Sequence, residues 1–296
     1  MPAGKARNRV PGEQHCRPRW SRAAWHEFSD PAPPTVRGVP AAAECVASTT
    51  VDWLTPDRYL SALESETTRL ITAIRGRAAG EPIPTCPDWT LRDLVTHVGT
   101  GHRTATGVIR SPSPTPPAYA VIPAPDDPDD WPGWLSSGAA DLIAAVRDVG
   151  FDTTVWAWVP KYPIAGFWAR RMLHDLIIHR FDVAPGGDLD QDLAVDGVSD
   201  ILLCCATLSA RPQPRMAGLR GAGETLRFSD GRHTWHATLT PTGAAWTDTP
   251  DVTVPAAVTL RAPAKELLLT LNRRREPGPS TGDRALLRRW LANSRF

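Results

Sequence analysis

Arg170-Arg171-Met172-Leu173-His174-Asp175-Leu176-Ile177-Ile178-His179-Arg180-Phe181-Asp182 decides how this chain is read. The stretch is apolar enough to be buried, yet it holds five charged residues and two histidines. At about 100° per residue, a helix puts Met172, Asp175, Leu176 and His179 on one face. Leu173, Ile177 and Phe181 form a second apolar strip, so the helix is expected inside a bundle. A carboxylate and an imidazole then face inward one turn apart. A buried carboxylate needs a partner; a divalent metal is one and an arginine another.

Spacing alone does not select the metal. With 32 acids and eight histidines in 296 residues, chance gives about one acid–histidine pair four residues apart. Two occur, Asp175/His179 and Asp93/His97. The second has a simpler reading, because Thr90 with Asp93 forms a helix-capping box. Leu91, Leu94, Val95 and Val98 give that helix its buried stripe, with His97 at the edge and His102 nearer the middle.

Working outward, Thr55-Pro56 opens an earlier helix with a capping hydroxyl and a proline in the first turn. Leu60, Leu63, Leu70, Ile71 and Ile74 follow at helical spacing, and Gly80, Pro82 and Pro84 end it. Residues 111–130, rich in proline and aspartate, are a long loop. Further helices are predicted over 131–149, from Trp168 to about Val183, and over 192–208, with an aromatic loop at 151–163. Cys204 and Cys205 read as small apolar fillers. Residues 211–214 read as a linker. Beyond it, Thr225–Ser229 and His233–Leu239 flank Asp230-Gly231 as hairpin strands, continued at 244–247 and 252–254. His233 and His236 face opposite sides of their strand, which argues against shared metal ligation. Helices at 263–271 and 284–293 complete a small α/β unit.

The expected class is therefore α+β: a leader over residues 1–50, a helical bundle over 51–210 and an α/β domain over 216–296. The leader is basic, broken by prolines and without apolar periodicity, so it is expected to be disordered; a nucleic-acid arm is its functional alternative. The net charge of +1 gives no general pull toward nucleic acid or acidic membranes. No apolar run is long enough to span a membrane. Cys16, Cys45, Cys86, Cys204 and Cys205 form no CxxC pair, and their odd number does not look like a disulfide framework, so a reducing cytoplasm is expected. The 12 tryptophans outnumber Phe and Tyr together, so indoles should supply much of any core or pocket.

Four motifs in order resemble the mycothiol-dependent maleylpyruvate isomerase family. Cys86-Pro-Asp-Trp-Thr-Leu-Arg-Asp-Leu-Val-Thr-His97-Val-Gly resembles its C-P-x-W-x-v-x-D-L-x-x-H start of the second helix. His174-Asp175-Leu-Ile-Ile-His179-Arg180-Phe-Asp182 resembles its H-E-x-x-x-H-R-x-D. Leu193-Ala-Val-Asp196-Gly and Arg261-Ala-Pro-Ala-Lys-Glu-Leu-Leu-Leu-Thr-Leu-Asn-Arg273 resemble later segments, and Gly282-Asp283 with Trp290-Leu291 its tail. The resemblance implies a DinB-like four-helix bundle followed by a small α/β C-terminal domain. It implies a divalent metal, usually zinc, on His97, Asp175 and His179, with mycothiol as thiol co-substrate and a small electrophilic or unsaturated substrate. Arg273 matches a family arginine suited to a carboxylate, although it also reads as a surface arginine. Trp156 and Trp158 are candidates to wall the cofactor pocket, with loop or core packing as their alternative. Aspartate stands where the family usually has glutamate, shorter by roughly 1.5 Å, so the backbone or the metal is expected to shift. The competing functional reading is a non-catalytic metal-binding bundle with a stress-response or regulatory role. A metal-free bundle with a ligand-binding second domain is a third.

Overall fold

The computed structural model describes residues 53–111, 113–116, 118, 120–212, 214–249 and 254–294. The leader at 1–50, with Cys16 and Cys45, lies outside the described residues, as do Val252 and Thr253 of the last expected strand.

Four helices make the bundle: α1 (Pro56–Ile74), α2 (Leu91–Arg110), α3 (Trp131–Val149) and α4 (Ala165–Val183). Their ends follow the sequence signals. The Thr55 side chain accepts from Arg58 N, and the Thr90–Asp93 capping box is complete. The apolar stripes of α1 and α2 are buried as their spacing predicts. α4 begins at Ala165, three residues before the start expected from sequence. It is buried on almost every side, with Arg171 and Asp175 among its few partly exposed residues. It is the central helix of the bundle and packs against α1, α2 and α3.

Between α1 and α2 the chain does not simply stop and restart. Pro82–Ile83 (β1) pairs antiparallel with Cys86–Thr90 (β2) in a two-stranded hairpin. The helix stops at Ile74, with Gly76 at φ 72°, before the Gly80, Pro82 and Pro84 expected to end it; Pro82 sits instead in this isolated ribbon, where a missing N–H is tolerated. After α2 the long loop turns back along it. Thr100 Oγ1 donates to Ile122 O and accepts from Ile122 N, Thr96 Oγ1 accepts from Ala124 N, and Arg92 donates to Pro125 O.

α5 (Gln191–Ser209) joins the bundle to the α/β unit. Its acids meet the bases of α4: Arg170 binds Asp196 and Asp200, and His174 Nε2 lies 2.6 Å from Asp196 Oδ2. Its other side packs on α6 (Ala264–Leu271) and on the sheet. The strands are β3 (Glu224–Ser229), β4 (Thr234–Thr240), β5 (Gly243–Asp248), β6 (Val258–Arg261) and β7 (Ser280–Gly282), in the order β5-β4-β3-β6-β7. All neighbours are antiparallel except β3 and β6. The expected hairpin forms, with Gly231 at φ 94° in its turn. β6 and β7 escape a reading by alternation because they have four and three residues. Leu226, Phe228, Trp235, Leu239, Val258 and Leu260 build the sheet core, with Trp290 of α7 (Arg284–Asn293) against Phe228. Trp235 Nε1 donates to Ser199 of α5, tying sheet to bundle. The architecture is the α+β arrangement expected. No helix among the described residues is long and apolar enough to cross a membrane.

Candidate metal centre

α2 and α4 lie side by side, so His97 and the Asp175/His179 turn face each other. His97 Nε2 is 3.0 Å from Asp175 Oδ2, and His179 Nε2 is 3.8 Å from the same oxygen. The two imidazoles approach edge to face, with centroids 4.7 Å apart. One ligand atom from each of the three residues falls within 4.8 Å of the others. A tetrahedral ion with bonds of 2.0–2.1 Å needs donor atoms about 3.3 Å apart, and the observed 3.0 and 3.8 Å bracket that spacing. The third separation, between the two imidazole nitrogens, is within 4.8 Å. His97 and Asp175 are 22% and 23% exposed, so an ion or ligand has access from one side.

Two of the three donors are held by a neighbour outside the set. Asp182, one turn after His179, puts Oδ2 2.8 Å from His179 Nδ1. Burial alone would raise the Asp182 carboxyl, but hydrogen bonds from His179 and Arg274 outweigh it and hold the group well below its ordinary range. Asp182 is therefore an acceptor, so Nδ1 of His179 carries the proton and Nε2 presents its lone pair to the cluster. Burial pushes His179 toward the neutral form, against the pull of Asp182 and Asp175. Arg171 Nη2 donates to Asp175 Oδ1 at 3.0 Å. Burial opposes ionisation of Asp175 as well, yet His97, His179 and Arg171 keep its carboxyl well below the usual carboxylate range.

The hairpin β1–β2 covers this cluster. Trp89 lies 4.9 Å from the His97 ring and stacks on His179 at 5.3 Å. Thr85 donates to Asp182 Oδ1. Cys86 Sγ lies 3.6 Å from Asp182 Oδ2 and 3.3 Å from Arg274 Nη2. Cys86, His179 and Asp182 form a second compact donor group, but Arg274 already supplies the cation there, at 2.8 and 2.9 Å from Asp182. Burial pushes the Cys86 thiol up to about 12, so it is not a thiolate near neutral pH.

The other expected site residues lie elsewhere. Arg273, with φ 56°, donates to Leu291 O and Ser294 Oγ at the end of α7; the arginine that reaches the cluster is the next one, Arg274. Trp156 packs on Trp168, and Trp158 is buried edge-on to Phe167; Trp89 is the indole beside the two imidazoles. Sequence reasoning assigned no role to Asp182, Trp89, Arg171 or Arg274. The spacing His179-x-x-Asp182 carried a signal, since three residues is a helical neighbour. Arg274 carried none, because its contact spans 92 residues.

The fold defines a class, a four-helix bundle closed at one end by an α/β unit. Within it, residues 60–184 match the model of the mycothiol maleylpyruvate isomerase N-terminal domain, so the resemblance carried by the motifs holds for the bundle. The solved structure of a mycothiol-dependent maleylpyruvate isomerase superposes with a TM-score of 0.52 at 15% identity, covering 77% of this chain and 93% of that one. A histidine-to-alanine mutant of a mycothiol-dependent maleylpyruvate isomerase gives a TM-score of 0.51 with the same identity and coverage. At that identity the likeness is one of fold. No curated protein matches the chain.

Proposed function

We propose that this chain is a metal-dependent enzyme that uses a low-molecular-weight thiol, a mycothiol-dependent isomerase or S-transferase acting on a small electrophilic or unsaturated substrate. The observation that carries this is the convergence of His97, Asp175 and His179 with one side open. The activity of the two structural neighbours supports it.

Two imidazoles and one carboxylate suit zinc among divalent ions, and three protein ligands are the pattern of a catalytic site. When bound there, the metal supplies the charge that keeps a coordinated thiol deprotonated. The protein's own groups do the rest. Asp182 fixes the tautomer of His179. Trp89 lies against both imidazoles and limits water on that side. Cys86, protonated and beside Arg274, is a poor nucleophile, which suits an attacking sulfur supplied by a separate thiol. Addition of that sulfur to a conjugated double bond, rotation and elimination give isomerisation; retention of the sulfur gives transfer. Cys86, Cys204 and Cys205 are free, which suits a reducing compartment such as the cytoplasm.

One observation favours a second reading, a metal-free bundle with a ligand-binding second domain. Both oxygens of Asp175 already have partners, Arg171 and His97. The experiment is direct. Purified protein is given zinc, mycothiol and a panel of unsaturated acids and electrophiles. Saturable turnover that His179→Ala abolishes supports the enzyme; no zinc uptake by the wild type supports the metal-free bundle, and zinc uptake with no turnover on the whole panel supports a non-catalytic metal-binding bundle.

A further inference from the structure

Arg171 stands one helical turn before Asp175, and its guanidinium joins two carboxylates. Nη2 donates to Asp175 Oδ1 at 3.0 Å, and Nη1 donates to Asp200 Oδ2 on α5. Asp200 is itself fixed, because its other oxygen accepts from Arg170 Nη1 at 3.1 Å. Arg170 is anchored in turn on Asp196, through both carboxylate oxygens and the backbone carbonyl. Arg170, Asp196 and Asp200 are all at most 5% exposed. A continuous row of alternating charge therefore runs from the buried core of α5 to one oxygen of Asp175.

From this we infer that Arg171 is a positioning residue for the metal ligand Asp175, and that Asp200 is its anchor. The inference rests on the ligand set proposed above. Asp175 has two side-chain torsions, and a fixed Oδ1 determines where Oδ2 points. That oxygen is the one between His97 and His179. The clamp also commits the carboxylate to offering one donor atom, not two. A guanidinium can bind two acids through its two arms, whereas an ammonium has neither the fork nor the fixed angle.

The test measures zinc affinity by chelator competition in wild type, Arg171→Met and Arg171→Lys, together with the visible spectrum of each Co²⁺-loaded protein. Loss of a group that orients a ligand lowers metal affinity by about 10–100-fold, and Arg171→Met is expected to show this with a shifted Co²⁺ spectrum. Arg171→Lys, which keeps the charge but not the fork, is expected to lose affinity as well. Unchanged affinity and spectrum in both variants would overturn the inference. So would higher affinity in Arg171→Met with wild-type behaviour in Arg171→Lys, which would make Arg171 a charge alone. Circular dichroism of the metal-free proteins separates a lost clamp from a lost fold; should Arg171→Met not fold, Arg171→Lys decides by itself. A wild type that takes up no metal sinks the ligand assignment itself, a result distinct from any difference among variants.

Discussion

Asp182 bonds His179 of its own helix and Arg274 of the α/β unit at once, at 2.8 Å to each. The carboxylate therefore sets the imidazole's tautomer while tying two parts of the chain together. Asp182→Asn keeps the size but offers an amide in place of an ionised acceptor. We expect zinc affinity to fall about 10–100-fold, as for other groups that orient a ligand histidine. Chelator competition checks it; wild-type affinity in the variant would remove Asp182 from the site.

Arg274 and Arg273 should behave differently despite being adjacent. Arg274→Met leaves the fully buried Asp182 without its cation, and breaking a buried pair from one side costs about 3–5 kcal/mol. Urea unfolding at pH 7 should show that loss, and zinc affinity should fall with it. Arg273→Gly preserves the left-handed backbone and removes the hydrogen bonds to Leu291 and Ser294 at the end of α7, leaving Asp182 with Arg274, so zinc affinity should stay at the wild-type value. The reverse pattern would restore Arg273 as the site arginine.

His102 gives a pH dependence of defined sign. It is 1% exposed, and neither ring nitrogen has a hydrogen-bond partner among the described residues. Burial lowers its pKa from 6.5 to about 4. The folded protein thus resists a proton that the unfolded chain accepts, so the stability linked to His102 is complete above about 6.5 and is lost as pH falls toward 4. The loss amounts to roughly 3 kcal/mol from this group. His102→Leu in metal-free protein should flatten the fall in stability between pH 6.5 and 4. An unchanged slope would mean that another group carries it.

Metal should stabilise the fold by mass action. Zinc at a hundred times its dissociation constant adds about 2.7 kcal/mol, worth several degrees in a melt. His97→Ala should abolish that increment. Trp89 stacks on His179 and lies tilted against His97, so its emission should change on zinc addition in wild type and not in Trp89→Phe. A zinc-induced melting shift that persists in His97→Ala would place the ion elsewhere.

The bundle was legible because its signals are local. Thr55, Thr90 and Asp93 cap helices within three or four residues of themselves, and the stripes of α1 and α2 repeat at 3.6. The pairing of His97 with Asp175 was legible only through the family resemblance, since 78 residues separate them and spacing gave no better than chance. What escaped were contacts between distant segments of opposite charge: Arg171 with Asp200, Arg274 with Asp182. Nothing local distinguishes Arg274 from Arg273 or Arg275 in a run of three. The turn that follows α6 decides which of them faces the bundle, and that turn depends on Arg273 adopting a positive φ. The small hairpin at 82–90 escaped for a different reason, because three prolines in nine residues read as interruption and not as a strand.

The loop that returns along α2 is stitched down by Thr100, Thr96 and Arg92 in three successive turns. Its far end, where Ser113, Pro114 and Thr115 are exposed, makes no comparable attachments to that helix among the described residues. Extra residues placed there would leave the stitched part in register. This bend is therefore the natural point at which to cut the chain for a circular permutation or to graft a fluorophore tag.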